Sequence, residues 1–363
     1  MAPTPLTREL IERAPKVLLH DHLDGGLRPS TVLELAHEIR YTGLPTSDPD
    51  ELAKWFIADT PGSDLVRYLE GFAHTVAVMQ TKDQLERVAA ESALDLARDG
   101  VVYAEIRFAP ELHMIAGLTL HEVVRAVLDG FATGTKLAKD EGRTIIVRAI
   151  LSAMRQANLS ETIAELAVEF RDRGVCGFDI AGPEDGFPPT QHLRAFQLVQ
   201  REDFHMTIHA GEAFGLPSIW EAVQFCNAER LGHGVRIVDD ITEIDGAYEL
   251  GRLANFIRDR RIPLEVCPTS NVHTGAALSI ATHPIELLRK LRFRVTLNTD
   301  NRLMSGISLS SEFEVCANAF AWTLEDMEWL TLNAAKSSFF EFDTRLAMIN
   351  NVIKPGYAAL RSS

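Results

Sequence analysis

A (β/α)8 TIM barrel with a helical insertion after its first strand is the fold class that the sequence predicts. Two observations carry it. Eight short runs rich in apolar and β-branched residues recur along the chain, most of them nearly unbroken, as suits strands buried on both faces of a parallel sheet. Between them lie longer stretches with apolar spacings of three and four. Such alternation implies βαβ units, and eight units close into a barrel. An open doubly wound sheet is the structural alternative.

The first strand is "KVLLH", residues 16–20. The segment that follows is too long for a simple βα loop, and a helical insertion is expected within residues 27–100. Its part over residues 50–81 carries two helical patterns with Trp55, Phe56, Leu65, Tyr68, Leu69 and Phe72 as apolar residues. One reading makes this a lid that packs on a ligand at the barrel mouth, and the other makes the aromatic stripe plain core. "DQLERVAAESALDLARDG", residues 83–100, is a helix ending at glycine, and "VVYAEIRF", residues 101–108, is the second strand. "LHEVVRAVLDGFATGTKLAKDEG" is helical and leads to "TIIVRAIL", residues 144–151; "SETIAELAVEFRDRG" is helical and leads to "VCGFDIAG", residues 175–182. The last four strands are "HMTIHA" at 205–210, "RLGHG" at 230–234, "PLEVC" at 263–267 and "RVTLNTD" at 294–300. "RLGHG" has the weakest strand character, since two of its five residues are glycine. No composition break marks a linker, so one domain over residues 1–363 is expected.

Composition narrows the functional classes. With 46% hydrophobic and 24% charged residues, the chain has the makeup of a soluble globular protein. Its formal net charge of -15 disfavours nucleic acid as a partner. No apolar run is long enough to span a bilayer, so no membrane partner is expected. The N-terminal "MAPTPLTRELIERAPK" lacks the apolar stretch of a secretory signal. Cys176, Cys226, Cys267 and Cys316 show no C-x-x-C spacing, which fits reduced thiols and a cytoplasmic location.

A barrel puts its chemistry at the C-terminal ends of its strands. Four of the twelve histidines fall there. His20 and His22 end the first strand and share a face, because side chains at i and i+2 do. His209 ends the fifth strand in "HAGE", His233 lies on the sixth, and Asp300 ends the eighth in "NTDN". A lone histidine is more often structural than a ligand. Several imidazoles and a carboxylate at one end of a barrel instead make a first shell for a zinc-like cation with a position open to water. Glu212, three residues past His209, is then placed to carry a proton, and His233 to orient water. A role for Glu212 at the N-terminus of the helix near Pro217 is the plain alternative.

The motifs "HDHLDGGLRP", "GFDIAGPE", "HAGE", "LGHG", "CPTSN" with "HTGA", and "LNTDN" occur in this order over about residues 16–310. As an ordered set they resemble the adenosine deaminase family of metal-dependent purine deaminases. The resemblance implies one zinc ion per chain, held by His20, His22, His209 and Asp300. It implies that Glu212 donates a proton to purine N1 and that His233 positions the attacking water. Asp24 resembles the residue that contacts ribose, His22 also lies against substrate, and Gly182 resembles the glycine whose N–H meets purine N3. The reaction implied is hydrolytic deamination of adenosine and 2'-deoxyadenosine, with release of ammonia, in purine salvage.

One position departs from that pattern. The family usually has two successive acids after "NT", and this chain has Asp300 then Asn301. Purine N7 only accepts, so a carboxyl group facing it must hold a proton, whereas an Asn amide donates at any pH. Asn301 is therefore expected to keep the substrate contact. Adenine, or a modified nucleoside such as aminodeoxyfutalosine, is the alternative substrate. A two-metal amidohydrolase is disfavoured because "GFDIAG" has no lysine at the end of the fourth strand, and a catalytically silent binding barrel because no ligand is lost. Arg107 and Arg155 are expected in structural ion pairs near the mouth, and Cys267 as a buried thiol. His74, His113, His121, His192, His205 and His273 carry no functional pattern.

Overall fold

The computed structural model describes residues 6–57 and 65–362, and of residues 65–70 the backbone alone. Its strands are β1 (Lys16–His22), β2 (Val101–Phe108), β3 (Ile146–Met154), β4 (Val175–Ala181), β5 (Thr207–Ala210), β6 (Arg230–His233), β7 (Ile241–Ile244), β8 (Ala247–Leu250), β9 (Leu264–Val266) and β10 (Val295–Leu297). Two parallel runs of four form, β1-β2-β3-β4 and β5-β6-β9-β10. Isolated bridges join them, Phe178 with Met206 on one side and Asp21 with Asp300 on the other. At the second seam the His22 N–H donates to the Asp300 carbonyl at 2.7 Å and the Asp300 N–H to that of His20 at 3.0 Å. The ring is thereby closed, and the eight strands expected from the sequence are its staves.

The β7–β8 hairpin is outside that expectation. It is antiparallel, and Asp245 and Gly246 form its two-residue turn with φ of 52° and 79°. Asp-Gly suits a turn that needs positive φ at both central positions, so the signal was present in "ITEIDGAYEL". The sequence there has no long apolar run, and the hairpin is correspondingly exposed.

Four helices occupy the stretch between β1 and β2: Pro29–Glu38, Pro49–Phe56, Leu65–Ala77 and Lys82–Arg98. Phe56 is in the core, while Trp55 and Phe72 are half-buried against it. The side chains of Leu65, Tyr68 and Leu69 lie outside the described residues. The Lys82–Arg98 helix opens on a capping box at Thr81 and Gln84. It runs against the Leu120–Asp140 helix at very short range. A Cβ at Gly130 would lie 2.4 Å from the Glu86 carbonyl oxygen, and one at Gly134 would lie 2.2 Å from that of Ala90. These two glycines let the helix backbones touch. Among the described residues no helix is long and apolar enough to cross a membrane.

The barrel interior is charged as well as apolar. Glu105, Arg107, Asp179, Arg230 and Glu265 are all buried. Arg230 pairs with Glu105 and with Glu265, each at 2.6 Å; Arg107 pairs with Glu265 at 2.7 Å and with Asp179 at 3.0 Å. This chain of pairs runs from the N-terminal ends of the strands toward the mouth and fixes the residues described next.

Gly134→Ala tests the helix contact. In an isolated helix the change would favour folding by about 1 kcal/mol. Here the added methyl meets backbone, and overpacking costs about 1–3 kcal/mol. Chemical denaturation is expected to show a net loss of stability, and a gain would refute the close approach.

Candidate metal and proton-transfer site

His20, His22, His209 and Asp300 each aim one ligand atom at a common point, and these atoms lie within 4.8 Å of one another. The local reasons are simple. His20 and His22 alternate with the buried Asp21 on β1, so both rings face the mouth. Asp21 turns the other way and accepts from Thr299 Oγ1 at 2.7 Å and Arg302 Nε at 3.0 Å. Asp300 follows β10 with φ of 58°, a left-handed bend that turns its carboxylate inward beside β1.

The far sides of two rings are held by acids. His20 Nδ1 lies 2.9 Å from Glu265 Oε2, and His209 Nδ1 lies 2.9 Å from Asp179 Oδ2. A ring that donates from Nδ1 leaves a lone pair on Nε2. His20 Nε2 is buried without a hydrogen-bond partner and sits 3.3 Å from Asp300 Oδ1. His22 Nε2 and His209 Nε2 approach to 3.3 Å. Lone pairs and a carboxylate converging in this way form a cradle for a cation. Burial and the Arg107 charge push His20 down to about 4, so the ring is a neutral ligand at physiological pH.

Around the core of the site, Arg107 and Arg230 pair with Glu105, Asp179 and Glu265, while the ion-pair partners of Asp300 among the described residues are imidazoles. Burial works to raise Asp179, but His209 and Arg107 hold its carboxyl well below the usual carboxylate range. Burial likewise opposes ionisation of Glu265, and Arg107 and Arg230 overcome it.

A second group shares Asp300. Ligand atoms of Glu212, His233 and Asp300 also lie within 4.8 Å of one another. Glu212 Oε1 accepts from Thr274 Oγ1 at 2.9 Å and from Asn271 Nδ2 at 3.4 Å, while Oε2 lies 3.4 Å from His233 Nε2. Asn271 Nδ2 is also 3.1 Å from His233 Nδ1, and an amide nitrogen only donates, which leaves the His233 proton on Nε2. Burial pushes the Glu212 carboxyl up, against the pull of His233. Glu212 itself precedes the Leu216–Gln224 helix and does not begin it. Its turn is fixed by Glu184, whose carboxylate accepts from the N–H groups of Gly211, Glu212, Ala213 and Phe214 at 2.6–3.0 Å.

The remaining candidates are Asp24, Asn301 and Gly182, at the same end of the barrel. Asp24 is buried, its Oδ1 has no hydrogen-bond partner, and burial pushes its carboxyl up to about 6. Asn301 is buried against Gly25, where a Cβ would come within 2.0 Å of Asn301 Oδ1. Gly182 follows β4 with φ of 104°, and a Cβ there would meet Gln156 Oε1 at 2.6 Å.

Sequence reasoning missed Asp179, Glu184, Glu265, Ser270, Asn271 and Thr274. Ser270 donates to Asp300 Oδ2 at 2.6 Å. Asp179 and Glu265 had a signal, since each is a lone acid inside an otherwise apolar strand and must find a partner there. Of the other four, Ser270 and Asn271 lie in the short helix Pro268–His273 and Glu184 and Thr274 outside regular elements, and only the fold supplies their side-chain directions. Arg107 makes the ion pairs expected of it. Arg155 makes none among the described residues; it donates to the His209 carbonyl at 2.8 Å. Cys267 is buried beside Glu265, as a structural thiol.

Comparison with known proteins gives one consistent answer. A family model described as adenosine deaminase matches residues 15–355. "Adenosine deaminase 1" of Streptomyces coelicolor is 63% identical, over 97% of this chain and 89% of its own. An adenosine deaminase of Mycobacterium sp. (strain KMS) is 62% identical, over 98% and 99%. Among solved structures, the apo N6-methyl-AMP deaminase of Arabidopsis thaliana superposes with a TM-score of 0.81 at 26% identity, over 95% of this chain and 98% of that one.

Arg107→Met removes the group that orients both Asp179 and Glu265, without touching a ligand. Metal affinity, measured by competition with a chelator, is expected to fall about 10–100-fold. Unchanged affinity in a folded variant would show that the two acids hold the rings unaided.

Proposed function

The chain belongs to the adenosine deaminase family, and from that premise we propose that it deaminates adenosine and 2'-deoxyadenosine hydrolytically to inosine and 2'-deoxyinosine in cytoplasmic purine salvage. The observation that carries the reading is the placement of Glu212 and His233, 3.4 Å apart, against the His20, His22, His209 and Asp300 cluster. Three imidazoles and one carboxylate suit zinc, one ion per chain. Bound there, zinc supplies Lewis acidity that brings the ionisation of a water toward neutral pH.

The chain's own groups do the rest. Burial favours the protonated form of Glu212, which hands its proton to purine N1, and Thr274 and Asn271 hold it in place. Protonated N1 draws electron density from C6 and opens that carbon to water. The Nε2 proton of His233 points toward Glu212 and orients the water from one side. The water oxygen bonds to C6 and its proton passes to the Glu212 carboxylate left after N1 is protonated. Glu212 hands that proton to the amino nitrogen, the C6–N6 bond breaks, ammonia leaves, and the C6 hydroxyl returns its proton to Glu212 as the C6 carbonyl forms. Asp24, with an unmet buried acceptor, takes a ribose hydroxyl. Asn301 donates to N7, the backbone N–H of Gly182 to N3, and His22 lies against the substrate as well as the metal. We read residues 1–363 as one catalytic unit, with helices of residues 27–100 covering the mouth.

Metal-loaded protein should be incubated separately with adenosine, 2'-deoxyadenosine, adenine and aminodeoxyfutalosine, following ammonia release. Turnover of the first two above the others is expected. Preference for adenine or the larger nucleoside would overturn the substrate, and no ammonia from any would overturn the reaction. Glu212→Gln should lower kcat by about 10²–10⁴-fold with metal content unchanged.

Asn301→Asp probes the N7 contact. The variant should keep the same nucleoside range but lose activity as pH rises through the new carboxyl's pKa, by up to about tenfold per pH unit. The parent should lack that limb, and a variant whose profile matches the parent's would place Asn301 away from N7.

A further inference from the structure

A second cavity, of about 540 Å³, lies at the opposite end of the barrel. His205, Arg230, Pro263 and Arg294 in its wall stand at the N-terminal ends of β5, β6, β9 and β10, whereas the histidine cluster stands at the C-terminal ends. Its lining is strongly cationic in a chain whose net charge is -15. Arg230 is already neutralised by Glu105 and Glu265. Arg260, Arg261, Arg294, Lys336 and Arg345 are not: among the described residues none of these five pairs with a carboxylate. Glu229 is the acid in the wall, and its oxygens are engaged by His205 Nδ1 at 2.8 Å and the Met206 N–H at 3.3 Å.

Scattered surface cations would need no explanation. These differ in their grouping: Arg261, Arg294 and Arg345 are half-buried and act on one another, and Arg260 and Lys336 stand exposed in the wall of the same cavity. Arg294 is half-buried and its Nε is buried without a hydrogen-bond partner. Burial, then the charges of Arg261 and Arg345, work against its ionisation. Arg345 and Arg261 spend one N–H each on the Ser338 and Arg292 carbonyls, which leaves their charge unbalanced. Such a cluster costs stability unless an anion enters it. A lone carboxylate would offset one charge of the five. Linked phosphates carry several adjacent charges, and planar guanidinium groups match phosphate oxygens in pairs. The volume suits a small molecule. A nucleic-acid polymer would be repelled by the acidic remainder of the surface.

We propose that this basal cavity is a binding site for a di- or triphosphate group, free or borne by a nucleotide, separate from the deaminase site.

The test titrates metal-loaded full-length protein with inorganic tripolyphosphate, with UTP and with uridine, by calorimetry and thermal shift at about 0.15 M salt. Saturable binding of a phosphate-bearing probe is expected, with a raised Tm and no heat from uridine. Binding of both phosphates would mean that the charge alone is read; binding of UTP alone, or of tripolyphosphate alone, would identify the nucleotide or the inorganic source. In the Arg294→Gln/Lys336→Gln double variant the affinity should fall at least tenfold. Its Tm without anion should be no lower than the parent's, because repelling charges have been removed. A chelating probe that merely strips metal would act equally on parent and variant. That result would overturn the proposal, as would no saturable binding at millimolar probe, or uridine binding as well as UTP.

Discussion

Charges inside a barrel must be neutralised by one another, because no water reaches them. Arg107 stands at the centre of that constraint here. One guanidinium spans Asp179 and Glu265, and those two acids hold the far nitrogens of His209 and His20. The ring orientations, the tautomers and the position of the ligand atoms follow from it. Removing one partner from such a set typically costs about 3–5 kcal/mol, because the other is left buried and uncompensated. The network therefore ties stability to the same residues that shape the metal cradle, and the two properties cannot be tuned separately.

The cluster divides its labour by strand. β1 and β5 bring imidazoles, β6 brings His233, and the bend after β10 brings Asp300, which belongs both to the ligand set and to the proton-handling group. The short helix Pro268–His273 and the residue after it add Ser270, Asn271 and Thr274, each of which fixes a carboxylate or a ring and none of which is charged. Neutral hydrogen bonds position Glu212 without pinning it as an anion, which suits the proton transfer proposed for it.

Much of this was legible in the chain before any fold was known. Strand runs buried on both faces advertise themselves by continuous apolar sequence, and most of the barrel strands were legible in that way; β6, in the glycine-rich "RLGHG", was the weakest. His20 and His22 were legible because strand alternation is rigid, and His209 and Asp300 because each ends such a run. The orienting residues were less so. Which acid meets which ring depends on barrel register, for example the pairing of His209 with Gly232 across β5 and β6, and no local pattern encodes that. The basal cavity was illegible for the same reason: Arg261, Arg294 and Arg345 are far apart in sequence, and each alone reads as a solvated surface residue. The β7–β8 hairpin was missed despite its Asp-Gly turn, because only Ile241 and Leu250 at its base pack on the core and the rest is exposed, so no apolar run is demanded.

The seam between β1 and Asp300, just beyond β10, joins the first and last strands of the barrel. His20 reaches Glu265, 245 residues away, and Leu19 donates to Asn298, 279 away. During synthesis the first two imidazoles emerge almost at once, yet their partners are nearly the last of the barrel to appear. A half-made chain can stack its early βα units, but it has an open edge at β1 and no formed cradle. Metal capture is thus deferred to the closing of the ring. An ion held there reports a barrel that is finished, and its binding energy pulls on the final step of folding and leaves the earlier ones to the apolar strands.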